Sequence, residues 1–488
     1  GPYGIGCFGK KAEKFVDFLA AAGQKIWQIL PLSPTGYGDS PYQSCSAFAG
    51  NPYFIDLDAL KAEGLLTAAQ LKAEPWGKDP LNVDYGTLYT SRYKILRAAY
   101  AAWRRQCAGQ HGCAHYYPDA YYAFTLENEG WLEDYALFCA LSERYGKRFF
   151  LWPSSLRQRE PSALERAAVQ MERRVLYHKM LQYFLDHQWR ALRAYANARG
   201  VYLIGDLPIY VAPCSADVWA APELFMLSPS GAPSRLAGCP PDAFSPTGQL
   251  WGNPVYNWSA HARTEYRWWV ARLRHALNWF DALRLDHFRG FAAYYSVPAR
   301  AKNARDGCWL PGPGLSLFSA LQQALGDVPL LAEDLGFLTE DVNALLKECG
   351  YPGMKVLELA FDSRDSGASD YLPHCVGEHC VVYTGTHDND TILGWAATAP
   401  PADVAFARDY LKLGDRQDWN WAMMDAAWQS PAELAVMQVQ DLLGLGHEAR
   451  MNTPSTLGEN WLWRLLPGEL TEDLAQTVRA RMARFGRL

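Results

Sequence analysis

The chain has 488 residues, of which 49% are hydrophobic and 20% charged, a composition typical of a globular protein with a large core. Its formal net charge of −6 at pH 7 offers no general attraction to nucleic acid or to an anionic membrane, and we expect neither as a partner. No stretch approaches the roughly 18 uninterrupted apolar residues of a membrane span, and the first residues show no secretory signal pattern.

Short apolar runs that end in polar residues recur along the chain, and this pattern is typical of buried strands. The predicted strands are residues 26–32, 201–207, 280–286, 328–333, 355–360 and 381–387. Helical patterns lie between several of them, for example at 315–326 and 339–348. This alternation predicts a parallel sheet with helices on both faces.

The uneven spacing of the strands predicts long insertions within a single catalytic domain that spans residues 1–488. We expect a mainly helical subdomain at about 45–198, with a strongly periodic helix near 164–199. Residues 209–258 are rich in Pro, Gly and Ser, which indicates a loop subdomain over a cleft. Residues 395–446 are predicted to form another, mainly helical insertion.

Two observations favour a closed (β/α)8 barrel over an open dinucleotide-binding sheet. No G-x-G-x-x-G sequence follows any predicted strand. Polar residues also gather at the C-terminal ends of different strands, where such barrels build their active sites. These residues are Asp206, Asp286, Glu333 and Asp388.

Arg284 and Asp286 are two residues apart on a predicted strand, so their side chains should point the same way. A guanidinium beside a carboxylate lowers the pKa of the carboxyl and keeps it ionised, which is the state that a nucleophile needs. A structural salt bridge explains the pair equally well.

Glu333 and Asp334 follow an apolar strand, and burial there raises the pKa of a carboxyl, as a general acid requires. For Asp334, the simpler interpretation is a helix N-cap. The pair of His387 and Asp388 would, alone, indicate a capped turn. Three carboxylates from three strand ends of one barrel are much stronger evidence of a catalytic site.

Eleven cysteines, with no C-x-x-C pair among them, indicate free thiols and a cytoplasmic location. Two groups of residues could supply soft metal ligands: His374, Cys375, His379 and Cys380, and Cys107, His111, Cys113 and His115. The spacing of neither group fits a common zinc pattern, so we predict no metal and no other cofactor.

Several of these segments resemble the signature segments of the 4-α-glucanotransferases, which include the amylomaltases and the plant disproportionating enzyme and belong to the wider α-amylase clan. The segments are residues 283–290 (LRLDHFRG), 332–336 (AEDLG) and 386–389 (THDN). The resemblance continues at residues 30–43 (LPLSPTGYGDSPYQ), 204–210 (IGDLPIY) and 240–254 (PPDAFSPTGQLWGNP). It covers essentially the whole chain, and the last segment distinguishes this family within the clan.

The resemblance implies transfer of α-1,4-glucan segments by double displacement with retention, with maltooligosaccharides as donors and glucans or glucose as acceptors. Asp286 would be the nucleophile, Glu333 the acid/base and Asp388 the transition-state stabiliser. Further residues would contact or support the bound sugar: Arg284, His387, Asp206, Tyr37, Ser40, Tyr42, Asn452, and Phe244 and Trp251 of the loop over which the glucan curves.

Two alternatives use the same features. A retaining α-glucan hydrolase has the same carboxylates and uses water as the acceptor. A non-catalytic glucan-binding protein needs the aromatic residues but not the acids.

The sequence departs from the family pattern in two places. Family members usually begin some residues earlier, with a strand just before the Gly-Pro-Tyr-Gly that opens this chain, so we expect a barrel without its first strand. Residues 358–361 read ELAF where many members have QFAF. This difference affects one expected apolar sugar contact and not the chemistry.

Overall fold

The strands with polar C-terminal ends form parallel sheets in a computed structural model, which describes residues 1–36, 38–111, 116–241, 245–336, 338–365 and 369–488. One sheet has the order β1 (Ile26–Gln28), β2 (Tyr202–Leu207), β5 (Ala282–Leu285) and β8 (Leu330–Ala332). The other contains β9 (Gly353–Val356), β10 (Cys380–Tyr383) and β11 (Leu434–Val436), with β10 in the middle. All neighbours in these two sheets run parallel, as the alternation with helices predicted.

The two parallel sheets adjoin and enclose a common interior. The Ala332 amide donates a hydrogen bond of 3.0 Å to the carbonyl of Pro352, which joins β8 to the start of β9. The Tyr383 hydroxyl on β10 donates to Oε1 of Gln28 on β1 at 2.7 Å. A buried cluster drawn from four strands of both sheets fills the interior: Ile204, Leu331, Met354, Val356, Val381 and Tyr383. Within the described residues, no ladder joins the outer strands β1 and β11.

Several strands are shorter than the apolar runs suggested. β8, for example, has three residues and stops before Glu333, although the Glu333 amide still donates to the Leu285 carbonyl of β5 at 3.0 Å. β9 begins earlier than predicted, and a 3-10 helix at Leu357–Leu359 occupies much of the expected strand.

A third sheet, with four antiparallel strands, was not predicted. Its order is β4 (Gln249–Pro254), β3 (Arg235–Cys239), β6 (Ala293–Pro298) and β7 (Cys308–Pro311). β3 and β4 lie in the Pro- and Gly-rich region 209–258, where their register shifts between Leu236 and Gly238. An irregular, glycine-containing ladder of this kind lacks the strict alternation by which a strand is recognised in a sequence.

Helices cover the parallel strands and build the insertions. The α-helices are α1 (Lys10–Ala21), α2 (Leu57–Ala62), α3 (Ala68–Ala73), α4 (Tyr85–His111), α5 (Asp119–Glu127), α6 (Glu129–Tyr145), α7 (Ser154–Arg157), α8 (Pro161–Gln170), α9 (Glu172–Asn197), α10 (Ala216–Ala220), α11 (Trp258–Arg263), α12 (Arg267–Trp279), α13 (Arg289–Ala292), α14 (Leu315–Leu325), α15 (Glu340–Cys349), α16 (Ile392–Thr398), α17 (Pro401–Tyr410), α18 (Trp419–Gln429), α19 (Val439–Leu442) and α20 (Glu472–Arg484). Further 3-10 helices are Pro52–Phe54, Phe149–Leu151, Pro222–Leu224, Ala304–Asp306, Ser363–Asp365 and His447–Ala449. In the part of the chain that the structure covers, no helix has the length and apolarity to cross a membrane.

Helix α9 links the helical insertion to the mouth of the sheets. Gln182 Oε1 accepts a hydrogen bond of 2.8 Å from the Gly50 amide, and Gln182 Nε2 donates one of 2.9 Å to the Gly50 carbonyl. Gln188 accepts a hydrogen bond of 2.6 Å from the Asp56 amide. Because these buried side chains satisfy backbone groups of an irregular segment, they fix the path of the chain that follows residues 38–43.

Candidate active site

A cleft of about 1140 Å³ lies at the C-terminal ends of the parallel strands. Asp286 follows β5, Glu333 follows β8, and His387 and Asp388 lie on the loop after β10; all four line the cleft. Asp206, on β2, is buried beside them. The structure therefore brings together the carboxylates predicted from separate strand ends.

Arg284 is the charged centre of this group. Its Nη1 lies 2.8 and 2.9 Å from the two carboxylate oxygens of Asp206, and 3.5 Å from Oδ1 of Asp286. Its Nη2 lies 4.0 Å from Oε2 of Glu333. The guanidinium is buried, so these carboxylates supply the negative charge that its burial requires.

The expectation that Arg284 would keep the pKa of Asp286 low was wrong. Burial raises the pKa of Asp286 to about 7, and the nearby Asp206 and Asp388 add to the rise, whereas Arg284 opposes it. Burial is the main reason, and the geometry shows why Arg284 does not outweigh it. Arg284 makes its short contacts with Asp206, and its distance to Asp286 is longer.

Glu333 is held by two backbone amides. His287 N–H donates to Oε2 at 2.6 Å, and Leu335 N–H donates to Oε1 at 3.0 Å. Burial nevertheless raises the pKa of Glu333 to about 8, with a further contribution from Asp286. The two carboxyls therefore titrate as a pair, and after the first proton leaves, one carboxylate lies beside one carboxylic acid.

Asp388 is the most exposed of the three carboxylates and is oriented from the C-terminal part of the chain. Asn452 Nδ2 donates to its Oδ1 at 2.6 Å, and Arg450 Nη2 donates to its backbone carbonyl at 2.7 Å. His387 Nε2 lies 3.3 Å from the same Oδ1. Asn452 therefore contacts a proposed catalytic carboxylate and also lines the cleft.

Tyr42 joins the loop at residues 38–43 to the strand ends. Its hydroxyl donates to Oδ2 of Asp206 at 2.6 Å, and its ring stacks on His387 with centroids 4.9 Å apart. Burial lowers the pKa of His387, which favours a neutral imidazole. Ser40 lies in the same loop, lines the cleft and accepts a hydrogen bond from the Tyr42 amide at 3.3 Å.

Trp251 lines the cleft next to residues 286–287. Its ring meets His287 edge to face with centroids 4.9 Å apart, and its Nε1 donates to Gln249 Oε1 at 3.0 Å. Gln43 fixes the strand from the other side through the Trp251 carbonyl at 2.9 Å and Asn253 Oδ1 at 2.8 Å. The predicted contacts Tyr37 and Phe244 lie outside the described residues.

Three aromatic or basic side chains in the cleft were not singled out from the sequence. Trp461 lies 5.7 Å from the His387 ring and 6.0 Å from the Tyr42 ring, between centroids. Trp309 is 38% exposed, and the Arg289 guanidinium lies 3.9 Å from the centre of its ring. Arg289 stands in the 283–290 motif, whereas neither tryptophan has a local sequence signal.

Asp334 does not cap a helix, and that expectation was wrong. Helix α15 begins at Glu340 and has Thr339 at its N-cap position. Asp334 is buried, and its Oδ1 accepts a hydrogen bond of 2.6 Å from the Met354 amide. Gly353 makes room for it, since a Cβ there would lie 2.5 Å from Oδ2 of Asp334. Asp334 therefore ties β8 to β9.

Two of the candidate metal ligands make hydrogen bonds within the protein. His374 Nδ1 lies 2.8 Å from the Tyr410 hydroxyl, and His379 Nε2 lies 3.0 Å from the Gly350 carbonyl. Cys113 and His115 fall outside the described residues. Over the described ranges, no three His, Cys, Asp or Glu residues are grouped so as to hold a metal ion.

Comparison with known proteins gives consistent matches. A family model described as 4-alpha-glucanotransferase, glycoside hydrolase 77, matches residues 1–470. A 4-alpha-glucanotransferase of Clostridium butyricum is 43% identical over 493 residues, which cover 100% of this chain and 98% of the relative. One from Thermus thermophilus is 46% identical over 488 residues, covering 98% and 95%. The structure of an amylomaltase from Streptococcus agalactiae in complex with acarbose is similar with a TM-score of 0.95, 38% identity, and coverage of 100% and 97%.

Proposed function

The chain belongs to the 4-alpha-glucanotransferase family and transfers α-glucan segments from a donor to an acceptor; we propose that Asp286, Glu333 and Asp388 carry out this transfer. The observation that carries the proposal is that these carboxyls meet in one cleft, with Glu333 held by two backbone amides and Asp286 beside Arg284. Burial raises the pKa of both Asp286 and Glu333, and Asp286 raises that of Glu333 further, which favours a pair that shares one proton.

In the first step, Glu333 protonates the bridging oxygen while Asp286 attacks the anomeric carbon. A covalent glycosyl-enzyme results, and the shortened donor leaves. Asp388 faces the positive charge that develops on the sugar ring, because Asn452 and His387 hold its Oδ1 at the cleft surface.

In the second step, Glu333 is a carboxylate and removes the proton from the 4-hydroxyl of an acceptor glucan or of glucose. The acceptor oxygen attacks the anomeric carbon and releases Asp286. Two inversions at the same carbon give overall retention.

The remaining sequence-predicted residues have supporting roles in this scheme. Arg284 and Asp206 form the charged floor of the cleavage subsite, and Tyr42 and His387 form one wall. Ser40, Trp251 and Asn452 line the path of the glucan, since all three border the cleft. We further propose that residues 1–488 act as one catalytic domain, with insertions at about 45–198, 209–258 and 395–446.

Incubation with maltotriose tests the function. Transfer gives glucose together with a ladder of chains longer than the starting sugar, and these products should be present at early times. The variant Asp286→Asn serves as the control for contaminating activity. Products that are only shorter than maltotriose would show that water is the acceptor, and the proposal of transfer would then be wrong.

A further inference from the structure

Three buried acidic side chains lie in or against residues 384–391, the loop that carries His387 and Asp388. They are Glu358, Asp390 and Asp441, with exposed fractions of 7%, 7% and 1%. None of them has a part in the proposed reaction. Carboxyls buried this deeply need partners or must take up a proton, so each of them calls for a physical explanation.

Asp441 and Asp390 have partners that account for their burial. Asp441 accepts hydrogen bonds from the Thr384 hydroxyl at 2.9 Å and from the Ile392 amide at 2.8 Å, so it holds both ends of the loop. Asp390 lies 2.6 Å from His447 Nδ1 and 3.9 Å from Arg450 Nη1.

Glu358 has a partner for only part of its carboxyl: a backbone hydrogen bond from Asp390, which by itself lowers the pKa of Glu358. Its Oε1 is buried and accepts no hydrogen bond from the described residues. The same oxygen lies against Gly385 in the loop, since a Cβ on Gly385 would be 2.8 Å away from it. An ionised carboxylate here would leave a charged oxygen without a donor, which is costly in a buried place.

The charged groups that face Glu358 also disfavour its ionisation. Burial has the largest effect and raises its pKa well above the ordinary value, and Asp441 and Asp390 raise it further. Arg450 opposes them, but its guanidinium is engaged elsewhere: with the carbonyls of Asp388 at 2.7 Å and Asn452 at 2.9 Å.

We propose that Glu358 is a positioning residue that acts as a neutral carboxylic acid, packs against Gly385 and thereby holds the loop that presents Asp388 to the sugar. The inference rests on the proposed role of Asp388. Ionisation of Glu358 would place a third negative charge beside Asp390 and Asp441 and would push the loop away.

The proposal fixes the sign of a pH effect on stability. A carboxyl whose pKa is raised in the folded state stabilises the protein fully below its unfolded pKa, and this stabilisation is lost as the pH rises towards the folded pKa. Glutamine does not titrate. The melting temperature of Glu358→Gln should therefore rise relative to that of the wild type between about pH 5 and pH 8.

Thermal melting of both proteins across this pH range is the decisive measurement, and it requires no activity. Glu348→Gln, at an exposed position, is the matched control and should run parallel to the wild type. A relative melting temperature of Glu358→Gln that falls with pH would mean an ionised Glu358 paired with Arg450, and a flat one would mean a solvated side chain. Either result overturns the proposal.

Transfer kinetics supply the second readout. Glu358→Gln should retain most of the wild-type kcat at neutral pH, whereas Glu358→Leu should lose about tenfold or more in kcat with a smaller change in KM. An equal loss in both variants would overturn the positioning role even if the wild-type enzyme transfers glucan as proposed. Should Glu358→Leu fail to fold, the melting comparison of Glu358→Gln still decides.

Discussion

The backbone amide of His287 donates a hydrogen bond of 2.6 Å to Oε2 of Glu333. His287 follows Asp286 directly and has a φ of 49°, in the left-handed region that most side chains avoid. The next amide, of Phe288, donates to the Glu333 carbonyl at 2.9 Å. The backbone that carries the proposed nucleophile therefore also fixes the acid/base, and the turn at His287 makes this possible.

Substitutions at His287 separate the backbone turn from the imidazole. Asn tolerates the left-handed conformation, whereas a β-branched Val is strained there by about 1–2 kcal/mol. We expect His287→Val to lose about tenfold more kcat than His287→Asn, because relaxation of the turn moves the amide away from Glu333. Both variants lack the imidazole, so the ratio of their kcat values isolates the backbone effect. Equal kcat values would show that the turn has no catalytic role.

Asp286→Asn should lower transfer by at least about 10⁴-fold while binding of maltooligosaccharides persists, because it removes the nucleophile and leaves the cleft surface. The variant should also melt higher than the wild type above about pH 7. Burial disfavours the ionised form of Asp286 and so raises its pKa, and the variant removes the carboxyl that would have to ionise there. Calorimetric binding and melting curves check these points. Near wild-type turnover would exclude Asp286 as the nucleophile.

The (β/α)8 class was predicted correctly, because apolar runs with polar ends report both the strands and the edge at which they meet. The likeness to the amylomaltase confirms this class. The short strand β11 went unnoticed within residues 395–446, where three residues provide too little pattern. The antiparallel sheet was missed for a related reason, since its strands contain Gly238, Gly252 and Pro254.

The sequence predicted those parts of the site that belong to a single recognisable motif. Asp286, Glu333 and Asp388 each end a recognisable strand, so their convergence followed from the barrel. The net pKa of Asp286 did not, because it depends chiefly on how the folded chain buries the carboxyl. Asp334 shows the same limit: its Met354 partner lies on the next strand, and the adjacent sequence suggested only a cap.

The transfer rate should depend on pH through the two central carboxyls. Activity should rise with pH as the first proton leaves the pair of Asp286 and Glu333 and fall as the second proton leaves, because the reaction needs one carboxylate and one carboxylic acid. Both limbs thus lie above the range of ordinary Asp and Glu residues. Values of kcat/KM for maltotriose, measured from initial rates between about pH 5 and pH 9, check this expectation.

An α-maltosyl fluoride donor tests which group causes the fall in rate at alkaline pH. Fluoride leaves without protonation, so the formation of the glycosyl-enzyme no longer needs Glu333 as an acid. The burst of fluoride release should then remain fast above pH 8, while transfer from maltotriose falls. A parallel fall of both rates would assign the alkaline limb to some other group.

Trp251 provides the test of how the cleft guides a long glucan. Its ring borders the cleft beside His287, which immediately follows the nucleophile, and its indole N–H is fixed by Gln249. A flat ring held in this way offers a stacking surface for sugar units beyond the cleavage point. The neighbouring Leu250 is 37% exposed and faces the other side of the strand, so it serves as a matched control.

Trp251→Ala should therefore slow transfer onto long maltooligosaccharides more than transfer onto glucose, by about 1 kcal/mol or roughly fivefold. Glucose is a single ring, so it gains little from a stacking surface that serves the further sugar units of a long acceptor. Leu250→Ala should leave the dependence on acceptor length unchanged. The measurement is the transfer rate against acceptor length, together with the melting temperature of each variant. If Trp251→Ala slows transfer equally for all acceptors and also melts lower, Trp251 anchors its strand and does not guide the glucan.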